Sequence, residues 1–155
     1  MQDRVAPAEA LAYYAPPAVA LAALTFVVIT LLGVLRLTAI KRREYPLRYF
    51  KLLQRPEGAA EFPAHAEAAA RNLINLFEVP SLFYALVPLL ILSGTLDALA
   101  LGLLWVYVAL RVAHSAVHLT VNHLTLRFGA HLLSNLVLLG AWVCFVRTLR
   151  ASIGG

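Results

Sequence analysis

Four long apolar stretches, separated by polar or turn-forming breaks, organise this chain. Residues 18–35 carry no charge, and a membrane-spanning helix needs roughly 20 apolar residues. With Pro16 and Pro17 suited to a helix start, the first stretch predicts a helix over about 16–40. Residues 41–64 form the longest polar segment, broken by Pro46, Pro56, Gly58 and Pro63. A second helix is predicted over 64–92, kinked at Pro80 and Pro88. Ser93-Gly94-Thr95 reads as a tight turn in which Gly94 takes the left-handed cap. Thr95 is the expected cap of the third helix, over 96–120, with Asp97 near its positive end. A break around 122–125 leads to the fourth, over 126–149. The expected architecture is all-α, one four-transmembrane-helix domain covering 1–155. The first helix is expected to be retained, because its apolar run is too long for a cleavable signal core and charges precede it.

Composition supports the membrane reading. Hydrophobic residues make up 61% of the chain and the mean hydropathy is +0.78. A soluble domain of 155 residues cannot hide that much apolar surface, so lipid must cover part of it. Charge is sparse at 14% and net +5, and its placement matters more than its sum. Lys41, Arg42, Arg43, Arg48, Lys51 and Arg55 all lie in the 41–64 loop, beside Tyr45, Tyr49 and Phe50. The positive-inside rule makes this loop cytoplasmic and puts both termini on the other face. In a bacterium the membrane would be the inner one. The excess charge is read as topology and lipid contact, not nucleic-acid binding. Cys144, the single cysteine, excludes an internal disulfide and reads as a small hydrophobe.

Ionisable groups inside spanning segments cost about 2.5–3.5 kcal/mol each on insertion scales, so each needs a reason. The second helix carries Arg71, Asn75 and Glu78 at i, i+4, i+7, one helical face. The third carries Arg111, His114 and His118 at i, i+3, i+7, and the fourth Arg127, His131 and Asn135 at i, i+4, i+8. The first offers Arg36 at its end. At 1.5 Å per residue, Asn75 lies about 15 Å and Glu78 about 20 Å from the loop side, and Arg111 about 15 Å from it. All four sets therefore share one half of the membrane.

Structural roles compete with a site. Glu78 and Arg111 would make a buried ion pair between helices, and Asn75 interhelical glue. His131 and Asn135 would be packing polars, Arg36 and Arg127 snorkelling anchors. The charge balance argues for a ligand: four arginines face essentially one deep carboxylate, Glu78. Such a pocket suits a polyanion, with Glu78 free to receive an amine. A cation in the first turn of a helix, as at Arg127, opposes the helix dipole, and a bound anion would relieve it. No metal is expected, since His114 and His118 have no third ligand of matched geometry.

The run Arg71-x-x-x-Asn75-x-x-Glu78-x-Pro80 with Phe83 resembles the second-helix signature of the MAPEG family, the membrane-associated proteins in eicosanoid and glutathione metabolism. Arg111-Val112-Ala113-His114-Ser115, with Arg127 beyond, is similar to its prostaglandin E synthase and microsomal glutathione transferase branch. The likeness extends from Arg36 to about Asn135. It implies a homotrimer with glutathione held between subunits by Arg71, Asn75 and Glu78. Arg36, Arg111, His114 and His118 would surround it, and Arg127 would be the catalytic cation that stabilises the thiolate. The chain departs from that pattern at His118 (often tyrosine), Ile74 (basic) and Phe128 (serine), which points away from prostaglandin isomerisation. The expected activity is a glutathione-dependent transferase or peroxidase acting on lipophilic electrophiles from the bilayer. The alternatives are a non-catalytic member binding glutathione or a lipid headgroup, and a small transporter. Against transport, the cationic excess is wrong for exporting cations, and the first helix carries no acid.

Overall fold

The computed structural model describes residues 5–42 and 64–153; most of the basic loop, 43–63, falls outside them. Every element among the described residues is an α-helix: α1 Pro7–Lys41, α2 Ala64–Phe77, α3 Pro80–Ser93, α4 Ala98–Leu119 and α5 Leu124–Ile153. They supply four spans by length and hydropathy: Pro7–Lys41, His65–Ser93, Ala98–Leu119 and Leu124–Ala151. The chain is an integral, multi-pass membrane protein.

Helix α1 begins at Pro7, nine residues before the predicted start, and runs through Pro16 and Pro17. Pro7 takes the first helical position, where a missing N–H costs nothing. Glu9 in the first turn complements the positive helix end. The two internal prolines deprive the carbonyls of residues 12 and 13 of their donors, a loss that long apolar helices tolerate in a membrane. At 35 residues, α1 is about 50 Å long and overreaches a ~30 Å hydrocarbon layer.

The second span breaks where a kink is predicted at Pro80. Helix α2 ends at Phe77 and α3 starts with Pro80 at its first position, leaving Glu78 and Val79 between them. Pro80 has no N–H for the carbonyl of Leu76, and the Asn75 carbonyl receives none from Val79. Ser81 and Leu82 restart the ladder with short-range bonds to Glu78 and Val79, at 3.2 and 2.9 Å. Pro88 stays inside α3 without breaking it.

At one end of the bundle, Gly94 adopts the predicted left-handed conformation with φ 66°. The cap of α4 is Asp97, not Thr95: its Oδ1 accepts from Leu99 and Ala100 N–H at 2.8 and 3.1 Å. Tyr14 locks this turn to α1. Its buried hydroxyl donates to the Thr95 carbonyl at 3.1 Å and accepts from the Asp97 N–H at 2.8 Å. The start of α1 and the α3–α4 turn thus share one end. The end of α1, the start of α2 and the α4–α5 turn share the other.

The core is apolar through the middle, with Leu21, Val28, Leu76, Leu86 and Leu104 around a stacked pair, Phe83 and Tyr107, 5.0 Å apart. Helix α1 lies against α2, α3 and α4, while α5 packs on α4 and α3. Only 22% of the apolar window of α1, and the same share of α5, is buried. Their outer faces, with Phe26, Val27, Leu37, Leu136 and Leu139, are left for lipid or another polypeptide. Cys144 is buried among apolar neighbours, as expected.

Candidate functional site

The buried face of α4 carries the chemistry. Tyr107, Arg111, His114, Ser115 and His118 follow each other at helical spacing and are all buried. Arg111, wholly inaccessible, ties three helices together. Its Nη2 donates to the Asn75 carbonyl on α2 at 2.5 Å, and its Nη1 lies 3.1 Å from His131 Nδ1 on α5. The first of these contacts follows from the break at Pro80. The carbonyl that loses its helical donor gains a guanidinium instead, which satisfies it without water.

The proton placement follows from Arg111. A guanidinium only donates, so His131 must accept at Nδ1 and carry its proton on Nε2. His131 Nε2 lies 3.1 Å from the Asn135 side-chain amide, and a protonated Nε2 calls for the amide oxygen opposite it. That orientation pairs Asn135 Oδ1 and puts Nδ2 in the buried position that has no partner among the described residues.

A second arginine stands one layer closer to the α4–α5 turn. Arg127 Nη1 donates to Asn122 Oδ1 at 2.8 Å and lies 3.3 Å from His118 Nε2. Its carbonyl, 2.9 Å from His114 Nδ1, accepts that ring's proton. The imidazoles of His118 and His131 flank that of His114, with centroids 5.7 and 5.6 Å away. Instead of pointing along the helix axis, Arg127 leans back onto the last turn of α4.

The structure therefore gathers Arg111, His114, His118, Arg127, His131, Asn135 and the Asn75 backbone. It does not gather the rest. Glu78 is exposed at the α2–α3 break and makes no ion pair with Arg111, although it lies within electrostatic range of Arg111 and His131. The competing structural reading, a buried Glu78–Arg111 ion pair, is absent: the helix ends at Phe77 and Glu78 is exposed. Arg71 is exposed and pairs with Glu67 on its own helix at 3.3 Å. Such an exposed i,i+4 pair is worth about 0.3–0.5 kcal/mol, so Arg71 exchanges partners easily. Arg36 is exposed on α1 with no polar partner among the described residues.

Sequence reasoning missed two polar residues. Asn72, wholly buried on α2, accepts from Ser115 Oγ at 3.2 Å. It continues the buried stripe of Ala68, Ala69 and Leu76, a spacing that could have revealed it. Asn122 lies in the α4–α5 turn at φ 48°. Four further buried nitrogens of this region have no partner among the described residues: Asn72 Nδ2, Arg111 Nε, His114 Nε2 and His118 Nδ1.

No curated protein and no solved structure matches this sequence. The MAPEG family model matches residues 14–147, which covers most of the first and last spans, the whole of the two between and every residue of the polar cluster. With that match extending over most of its length, this chain belongs to the MAPEG family.

Proposed function

We propose that this protein is a glutathione-dependent transferase or peroxidase that acts on lipophilic electrophiles dissolved in the bilayer. One observation carries the reading: Arg111 and Arg127 lie in one polar cluster, and no carboxylate pairs with either among the described residues. Arg111 is wholly buried, where an uncompensated charge is costly. An anionic ligand compensates both cations. Membership of a family associated with glutathione metabolism makes that peptide, with two carboxylates and a thiol, the natural candidate.

In this reading Arg71 exchanges its weak partner Glu67 for a ligand carboxylate, and Glu78 receives the ligand amine. Asn75 contributes its side-chain amide, which has no partner among the described residues. Arg36, Arg111, His114 and His118 complete the polar surround. Arg127 stabilises the thiolate, since a fixed cation beside sulfur favours its ionised form. The sulfur then bonds to the electrophilic carbon as the leaving group departs. Ile74 and Phe128, both well exposed, place apolar surface beside Arg71 and Arg127 and suit a lipid-soluble second substrate.

The exposure of Arg36, Arg71 and Glu78 in a single chain is the reason to expect a shared site. A homotrimer, with these groups turned toward a neighbouring subunit, would bring them to the buried cluster. Native mass spectrometry from mild detergent is expected to give three copies of 16.9 kDa. A stable monomer or dimer that still conjugates glutathione would remove the shared site.

Activity is tested by conjugation of glutathione to a chromogenic aryl halide with purified protein in detergent. Turnover that fails to rise above the uncatalysed rate, while glutathione still raises thermal stability, would make the protein a binder only. Glu78→Gln separates binding from structure. With no ion pair to lose, the variant is expected to melt like wild type without ligand. Glutathione at one hundred times its Kd protects wild type by about 2.7 kcal/mol, and the variant should lose most of that protection. Equal protection of both proteins would remove Glu78 from the site.

A further inference from the structure

We infer that Asn122 is a positioning residue for Arg127: from the α4–α5 turn it fixes one edge of the guanidinium and leaves the other turned to a bound thiolate. The inference rests on the thiolate-stabilising role proposed for Arg127.

The geometry is specific to this turn. Asn122 stands at φ 48°, a left-handed conformation that asparagine tolerates better than most residues. Its backbone N–H is anchored to the Val117 carbonyl at 2.7 Å, which holds the residue against the last turn of α4. From there Oδ1 reaches Arg127 Nη1 at 2.8 Å, and His118 Nε2 lies 3.3 Å from the same nitrogen. The two hydrogens of Nη1 are thereby assigned, one to each acceptor. Nε and Nη2 have no protein partner among the described residues, and neither is a buried orphan. The free edge is the one through which a guanidinium meets an anion at two points.

Both acceptors are uncharged when His118 is neutral. A carboxylate in either place would hold the arginine equally well but cancel the field it exerts on sulfur. An amide and an imidazole restrain a long, flexible side chain and leave its charge for the ligand. Asn122 is the better placed of the two for that task, because its bond is shorter and its backbone is anchored. A glycine would keep the turn and lose the acceptor. An aspartate would keep both turn and acceptor and add the opposing charge.

The test follows the apparent pKa of glutathione's thiol bound to wild type, Asn122→Gly and Asn122→Asp, by thiolate absorbance against pH. Each variant is also combined with Arg127→Ala. Both single variants are expected to raise the bound thiol by about one unit, a tenfold fall in thiolate at a pH well below its pKa. Asn122→Gly is expected to leave unchanged a protein already carrying Arg127→Ala, because its effect passes through that side chain. Asn122→Gly decides the matter, since glycine is at home at φ 48° and removes only the acceptor. Asn122→Asp instead keeps the acceptor and adds a charge that raises the thiol with or without Arg127. An unchanged thiol in Asn122→Gly, or an Asn122→Gly effect that adds to Arg127→Ala, would overturn the positioning role and leave Asn122 a turn residue. A thiol already unshifted in wild type would instead overturn the thiolate-stabilising role of Arg127, and this inference with it.

Discussion

Replacing Arg127 with alanine is expected to abolish most activity at neutral pH while leaving glutathione bound. A free thiol titrates near ~8.5, so at neutral pH only a few per cent is ionised without help. A guanidinium keeps its charge at any working pH and favours the anion beside it. Each unit by which the bound thiol is lowered corresponds to about 1.4 kcal/mol of thiolate stabilisation and about a tenfold gain in thiolate. The variant should forfeit one to two such units, lowering the neutral-pH rate by about 10- to 100-fold. Affinity should fall only modestly, because Arg71, Asn75 and Glu78 are untouched.

The pH dependence fixes the sign. A lowered thiol pKa helps only where the free thiol would be protonated, so the wild-type advantage is greatest below ~8.5 and fades above it. The Arg127→Ala rate should therefore climb toward wild type as pH rises through that range. Arg127→Lys should recover part of the shift, since it keeps a cation but has no fork to serve Asn122, His118 and sulfur together. Thiolate absorbance against pH measures this without turnover. A shift that survives Arg127→Ala would pass the role to another cation, with Arg111 and Arg36 the first to examine. A rate deficit unchanged at high pH would mean that Arg127 binds or shapes the site and does not ionise the thiol.

The spans were legible because hydropathy registers the one constraint that the bilayer imposes everywhere. Their ends were less so, for identifiable reasons. Pro16-Pro17 suggests a start by the logic of soluble helices, whereas in an apolar phase the helix persists through both prolines because few alternatives satisfy the backbone. Thr95 and Asp97 are both competent caps, and the Tyr14 hydroxyl, donating to the Thr95 carbonyl and accepting from the Asp97 N–H, holds the turn in which Asp97 is used. That contact joins residues 81 and 83 positions apart and leaves no local trace.

The site was half legible. Spacing correctly aligned Arg111, His114 and His118 on one face of α4, all of them buried. On α2 the face that carries Arg71 and Glu78 turns outward from the single chain, and the buried stripe runs through Asn72. A helical period shows which residues travel together, not which side is in. Nor does it reveal that a proline break would expose a carbonyl to Arg111. The Arg127 clamp was hidden for another reason: Asn122 belongs to a turn, where period carries no information and only a left-handed backbone brings the amide into reach.

Arg111→Ala is expected to be the most destabilising single change in the described structure. The substitution strands the Asn75 carbonyl, which has already lost its helical donor, and leaves His131 Nδ1 without a partner. An orphaned buried acceptor costs about 1–3 kcal/mol, with no water in the bilayer core to replace the bond. A cavity the size of an arginine side chain adds to the loss. Against this stands the desolvation of a charge with no ion-pair partner among the described residues, which the variant recovers. The balance should favour wild type by about 2–4 kcal/mol, since three helices lose their common tie, giving a melting temperature in detergent lower by about 5–15 °C. Arg111→Lys should restore little, because one ammonium cannot reach both Asn75 on α2 and His131 on α5. Arg111→Met decides between the opposing terms, since it fills the space with an apolar chain and removes the charge. A methionine variant that melts above wild type would show that desolvation outweighs the tie. Arg111 would then be a residue that costs the apo fold stability and is held in place for the anion it binds.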